Sequence, residues 1–167
     1  MVRGRERGGA NYDRDRIEFI LRGISGGKSA GRIQRELASG LGGQIAGSKS
    51  ELRVSGILRN LEAVTFIQRA AANSAADIAG RDLTVYLAPQ IDRPLVSVGV
   101  QVKSSDDRIW EFRERLLRQL GVNSQTEVTN WLRTSGLIII NGNAKVFTIK
   151  KYFASEVDAI RDTIHGN

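Results

Sequence analysis

The clearest pattern in the chain is a strict alternation of apolar and polar residues over 96–103. Because successive side chains of a strand point to opposite faces, this segment is predicted to be a strand with one core face. The polar face carries Gln101 and Lys103, and Gly99 beside them leaves room for another group to approach closely. The predicted core face consists of Val96, Val98, Val100 and Val102.

The rest of the pattern predicts helices and strands separated by glycine-rich or polar turns. Trp110 and Trp131 fall in two of the predicted helices and are expected in the core. Serines or a capping box mark three helix starts, at Ser105, at Ser124 with Glu127, and at Ser155. Helices are predicted over 13–22, 30–41, 51–63, 106–120, a short segment after 124, and 155–164, with strands over 64–70, 82–87, 95–103, 137–140 and 145–149.

This order of elements indicates a mixed α/β (α+β) fold with one sheet. Residues 1–47 are predicted to form a basic tail with a helical extension, and residues 48–167 the main domain. The segment 23–29, GISGGKS, is one residue shorter than a phosphate-binding loop and follows a helix, so a nucleotide site is not expected there. A helix-turn-helix-like unit and a plain helical hairpin both fit residues 13–41.

The composition excludes several classes of site. The chain has no cysteine and a single histidine, so disulfides, thiolate metal sites and Ser-His triads are not expected. Any bound metal should be a hard cation held by oxygen. The longest aliphatic run, 137–140, is too short to span a membrane, and the N-terminus lacks a signal-peptide pattern, so a cytoplasmic protein is expected.

The charge is unevenly distributed along the chain. The formal net charge is +7, and residues 1–60 carry +6 of it. A basic arm followed by a nearly neutral body suggests a polyanionic partner, most simply nucleic acid. The alternative is a surface charge that only keeps the protein soluble.

The polar face of the central strand has a predicted neighbour in Asp82. A short turn joins the strands over 82–87 and 95–103, so they should pair antiparallel and place Asp82 opposite Val100 or Gln101. Asp92 lies in the turn at the other end of the hairpin, so it is excluded as the carboxylate beside Gln101. Asp77, in the loop before Asp82, is a reserve candidate for that role.

A carboxylate, an amide oxygen and an ammonium group in one place suit metal-assisted phosphate chemistry. Asp82 and Gln101 can hold a hard divalent ion, which acidifies a bound water and shields phosphate charge. Lys103 can orient the water and stabilise charge on the phosphoryl oxygens. The alternative is a solvent-facing polar strand face on which Lys103 merely extends to water.

Asp82 at the head of one strand and the run Gln101-Val-Lys-Ser-Ser105 on the next resemble the core of the PD-(D/E)xK nuclease superfamily. The variant with Gln in place of the acid is similar to the branch that includes intron-encoded homing endonucleases. The resemblance implies an α-β-β-β-α-β core over roughly residues 48–141, with Glu51 on the first helix as an additional acidic site residue. The proline of the motif is absent, and Arg81 precedes Asp82.

The resemblance implies a Mg²⁺-dependent endonuclease, for which Mn²⁺ could substitute, acting on double-stranded DNA as a homodimer or larger homo-oligomer. Site-specific homing or restriction-type cleavage is expected, and a Holliday-junction resolvase or a non-catalytic DNA-binding module with a degenerate core are alternatives. The implied catalytic residues are Glu51, Asp82, Gln101 and Lys103. Of these, the implied metal ligands are Asp82, Gln101 and Glu51. Expected DNA contacts are Arg3, Arg5, Arg7, Arg32, Arg35, Lys49, Arg53 and Ser104.

Overall fold

The structure is a computed structural model that describes residues 20–21, 24–27, 29–33, 49–70 and 80–166. The chain divides into two compact units, Met1–Lys49 and Ser50–Asn167. In the first unit, residues 20–21 and 30–33 are helical and a turn at 26–27 contains Gly27 with φ of 74°. The rest of the predicted helices over 13–22 and 30–41, and most of the predicted loop over 71–81, lie outside the described residues.

The second unit is a mixed α/β structure built on a four-stranded sheet in the order β1-β2-β3-β4. The antiparallel neighbours are β1 with β2 and β2 with β3, whereas β3 and β4 are parallel. Along the chain the elements are α1 (49–58), β1 (Val64–Arg69), β2 (Leu83–Leu87), β3 (Ser97–Lys103), α2 (Asp106–Leu120), α3 (Gln125–Thr134), β4 (Leu137–Asn141) and α4 (Val146–His165).

Helices cover both faces of the sheet where β3 and β4 lie. On one face, apolar residues of α1 and α4 such as Leu58 and Phe153 pack against the strand valines and isoleucines. On the other face, Leu116 of α2 and Leu132 of α3 pack against β4 around Ile139. The central strand β3 is therefore covered on both faces, which explains why Gln101 is buried although it lies on the polar side of the strand.

Three helix boundaries follow the local chemistry that the sequence predicts. The Ser105 hydroxyl accepts a hydrogen bond from the Arg108 amide at the start of α2, and Gly121 ends that helix with a φ of 66°. The full capping box of Ser124 and Glu127 is present at the start of α3. Predictions of these helix starts are therefore confirmed.

The end of the chain differs from the prediction. Residues 145–149 are not a strand but the start of α4, and Ser155 lies inside that helix rather than at its N-cap. The β-branched residues of this segment favour a strand locally. Burial decides otherwise, because Ile149 continues the helical stripe formed by Phe153 and Val157 against the sheet.

Three predicted core residues are exposed. Trp110 is 56% exposed and Trp131 is 40% exposed, because the buried stripes of α2 and α3 run through neighbouring positions such as Leu116 and Val128. Val96 is 74% exposed, since β3 begins one residue later at Ser97. Within the described part of the chain, no helix has both the length and the apolar character needed to cross a membrane.

Candidate active site

Strand register places Asp82 beside Gln101, as the hairpin argument predicts. Leu83 pairs with Val100, and the Asp82 amide donates to the Val100 carbonyl at 2.9 Å. Asp82 therefore precedes β2 at the sheet end where β3 finishes. Its side chain lies on the face of the sheet that α2 covers, together with those of Gln101 and Lys103.

Two hydrogen bonds hold the Asp82 carboxylate in place. Its Oδ2 accepts one from the Gln101 side-chain amide at 2.9 Å and one from the Val102 backbone amide at 2.7 Å. Both donors belong to β3, so the carboxylate is fixed to the strand that carries Lys103. The start of β2 and the end of β3 thus form one rigid polar corner.

Gln101 is only 8% exposed, and its side-chain oxygen Oε1 is buried without a hydrogen-bond partner among the described residues. A buried amide oxygen without a partner costs about 1–3 kcal/mol. The oxygen faces the backbone of Gly80, where an added Cβ would lie 3.1 Å from it. Gly80 also has a φ of 76°, so both its conformation and its neighbour favour glycine.

Lys103 ends β3 in a half-buried position against α2. Its Nζ lies 4.7 Å from the centre of the Phe112 ring, a cation–π distance. Desolvation lowers the pKa of Lys103; the negative charge of Asp82 opposes this shift, whereas Arg115 and Arg108 reinforce it. The ammonium group is therefore partly stripped of water, and charges of both signs lie near it.

A polar loop borders this corner at the carboxyl end of β4. The Asn141 side chain donates to Asp106 at 2.9 Å, and the Asn143 side chain donates to the Ser104 carbonyl at 2.7 Å. Gly142 donates its amide to the Lys103 carbonyl at 2.8 Å. These asparagines are not among the residues expected from the sequence, although the carboxyl ends of adjacent parallel strands are where α/β sheets bind ligands.

Glu51 lies elsewhere. Its carboxylate forms an ion pair with Arg69 at 2.9 Å. Arg69 pairs in register with Leu83, whose side chain belongs to the core on the α1 side of the sheet. Glu51 is therefore held on that side, whereas Asp82, Gln101 and Lys103 lie on the α2 side.

Arg81 does not point into the corner that Asp82 occupies. Its side chain crosses directly over Gly99, where an added Cβ would lie 2.8 Å from the Arg81 Cγ. Its guanidinium donates to the Ser135 carbonyl at 3.3 Å, at the end of α3. The group that approaches the missing side chain of Gly99 is thus this arginine, which anchors the chain just before Asp82.

The expected DNA contacts have varied surroundings. Arg53 donates to the Gly142 carbonyl and so supports the polar loop from α1. Lys49 and Ser104 are exposed, as is Arg32, whose amide bonds to the Ser29 hydroxyl. Arg3, Arg5, Arg7, Arg35 and the reserve carboxylate Asp77 lie outside the described residues.

The corner offers a hard cation oxygen donors of suitable chemistry. The donors are the Asp82 carboxylate and the unpartnered amide oxygen of Gln101. Only one of them is charged, and no group of three acidic, histidine or cysteine side chains suited to a metal occurs in the described ranges. A metal held by this pair should therefore bind weakly compared with one held by two carboxylates.

Comparison with known proteins gives no family assignment. No protein-family model matches the chain, and no match was found among curated proteins or solved structures. The function must be argued from the site itself.

Proposed function

We propose that this chain is a Mg²⁺-dependent endodeoxyribonuclease that hydrolyses phosphodiester bonds. The observation that carries the proposal is the convergence of Asp82, Gln101 and Lys103 at one corner of the sheet. These three side chains suit metal-assisted phosphate hydrolysis: Asp82 and Gln101 can offer oxygen to a hard cation, and the ammonium group of Lys103 can stabilise phosphoryl charge. They come together through strand register. The resemblance to PD-(D/E)xK nucleases implies an α-β-β-β-α-β core, and this chain has the additional helix α3 between α2 and β4.

Asp82 and Gln101 would hold the ion. The Gln101 amide now donates Nε2 to Asp82 and leaves Oε1 without a partner, so a turn of the amide would present oxygen instead. The bound ion supplies an acidified water and neutralises phosphate charge. Lys103 contributes a partly desolvated ammonium group that can bind a phosphoryl oxygen and orient the attacking water.

Site-specific cleavage of both strands is the form of activity that we favour. It needs two such corners, and therefore a dimer or larger assembly. It would also use the separate basic unit at residues 1–49 to hold the duplex. A junction resolvase shares the same chemistry and differs in the DNA that is bound.

A non-catalytic DNA-binding module is the second candidate. One observation favours it: among the described residues the corner has a single carboxylate, that of Asp82, and Glu51, the other expected acid, is paired with Arg69. In that case phosphate binding at Lys103 would remain, but metal would not bind at Asp82.

Thermal unfolding with and without Mg²⁺ or Ca²⁺ separates these two candidates. A ligand that binds only the folded state raises Tm. At a concentration of 100 times its Kd, it adds about 2.7 kcal/mol to the free energy of unfolding. We expect Tm of the wild-type chain to rise with either ion and Asp82→Asn to abolish the rise. Asp92→Asn, which removes an exposed carboxylate in the distant turn, is the matched control and should retain it. A wild-type Tm that neither ion changes at millimolar concentration would favour the non-catalytic module.

A further inference from the structure

Two arginines of α2 lie near the Lys103 ammonium group. The Lys103 ammonium lies over the Phe112 ring, and Arg108 and Arg115 precede and follow Phe112 by four and three residues. Residues at these spacings share one face of a helix. The three cations therefore form one stripe, with Lys103 at its middle.

The two arginines of this stripe are exposed and only weakly engaged. The Arg108 side chain is 66% exposed and pairs with the exposed Glu111 at 3.1 Å, a kind of pair that contributes little to stability. Arg115 is exposed and has no hydrogen-bond or ion-pair partner among the described residues. Arg113 on the same helix differs, since it bonds Gln125 and Thr129 of α3.

Nearby carboxylates offset only part of this positive charge. Arg108 pairs with Glu111, and Asp82 lies on the same face of the sheet as Lys103, whereas Arg115 has no ion-pair partner among the described residues. The cations are spread along the helix, so they suit an extended anion such as a phosphate backbone better than a single small anion.

We propose that Arg108 and Arg115 bind the phosphate backbone of DNA on either side of Lys103, so that one strand runs along α2. Arg108 and Arg115 are seven positions apart, so at about 1.5 Å per residue they are separated by about 10 Å along the helix. That length matches about three nucleotides of one strand at about 3.4 Å each. The orientation of this strand rests on the proposed function, since it assumes that Lys103 faces a phosphate. The arginine and lysine contacts expected from the sequence lie in the first 53 residues instead.

Salt-dependent binding of a DNA duplex, measured without divalent metal, tests this surface. The variant Arg108→Ala/Arg115→Ala should flatten the slope of log K against log salt by about 2, since each phosphate contact contributes about 0.9. The affinity lost between about 50 and 200 mM salt should then shrink about tenfold relative to wild type. Both side chains are exposed, and circular dichroism would verify that α2 is retained.

The control variant is Arg59→Ala, which removes one exposed arginine just after α1, a helix that packs on the opposite face of the sheet from α2. It should retain the wild-type slope. The proposal is overturned if the double variant also keeps the wild-type slope. It is equally overturned if Arg59→Ala, which removes one arginine, flattens the slope by half as much as the double variant, which removes two. Magnesium-dependent cleavage is measured separately. If the double variant has the flatter slope but the wild-type chain never cuts DNA, the proposed DNA-binding surface is supported and the proposed nuclease activity is not.

Discussion

The side-chain amide of Gln101 donates to the Asp82 carboxylate at 2.9 Å while its own oxygen is buried without a partner. In this arrangement the Gln101 amide nitrogen donates a hydrogen bond to Asp82, but the Gln101 amide oxygen accepts none. A cation bound beside Asp82 would reverse the preference, because it attracts oxygen and repels an amide N–H. The pair therefore has an evident reason to bind metal, but only one negative charge with which to do so.

Gln101→Glu should convert this pair into two carboxylates that repel each other. We expect the metal-free variant to lose at least about 1–3 kcal/mol of stability at pH 7, because a buried charge replaces a hydrogen-bonded amide. Mg²⁺ or Ca²⁺ should raise its Tm more than that of the wild type. Thermal unfolding with each ion measures both effects.

The pH dependence of that variant gives an independent check. Repulsion by Asp82 and burial both raise the folded-state pKa of the new carboxyl above its unfolded value of about 4.3. The folded variant then binds more protons, so its deficit should shrink as the pH falls toward about 4. A deficit that stays constant between pH 7 and pH 4 would show that the two carboxylates do not interact.

Gly99 and Arg81 should show strong coupling in a double-mutant cycle. Gly99→Ala places a Cβ within 2.8–2.9 Å of three Arg81 side-chain atoms, so it should cost about 1–3 kcal/mol. In an Arg81→Ala background the same change should be neutral or stabilising, since alanine suits a strand better than glycine. Denaturant unfolding of the four proteins gives the coupling energy. Equal costs in the two backgrounds would mean that Arg81 does not lie over Gly99.

Lys103→Met should stabilise the protein at neutral pH if desolvation is the main influence on this side chain. Its folded-state pKa is lowered from 10.5, so the folded state binds fewer protons than the unfolded state between the two pKa values. Wild-type stability should therefore rise toward pH 10.5, and the advantage of the methionine should shrink there. Stability curves of both proteins from pH 7 to 10.5 measure this advantage. If attraction to Asp82 outweighed desolvation, the stability of the methionine variant relative to the wild type would rise with pH instead.

Two serine substitutions test the helix boundaries. Ser124→Ala removes the N-cap of α3 and should cost about 1 kcal/mol. Ser155→Ala lies inside α4, at an exposed position, where alanine is the better helix former. The second change should be neutral or slightly stabilising in thermal unfolding. A loss of about 1 kcal/mol at Ser155 would instead restore the predicted helix start there.

The site could be predicted where local pattern and strand register determine it. Alternation around Val98 and Val100, together with a short turn, is enough to place Asp82 beside Gln101. Caps at Ser105 and Ser124 likewise depend only on neighbouring residues. In these places the physical cause is local, so the sequence contains it.

Features that depend on distant packing could not be predicted in this way. Residues 145–149 have strand propensity, and only the core beneath Ile149 makes them helical. Glu51 is paired with Arg69, a partner that no spacing in the sequence indicates. The crossing of Arg81 over Gly99 and the cations of α2 around Lys103 likewise depend on which elements pack together.

The most direct test of the central claim is Mg²⁺-dependent nicking of supercoiled plasmid and of a four-way junction by the wild-type chain and by Lys103→Ala. We predict cleavage that requires Mg²⁺ and falls about 10²–10³-fold in the variant, the range for loss of one group that stabilises charge in the transition state. Lys151→Ala, which removes an exposed cation of α4, is the matched control and should cut like the wild type. Cleavage that Lys103→Ala retains in full, or bound DNA that Mg²⁺ never causes to be cut, would contradict the account.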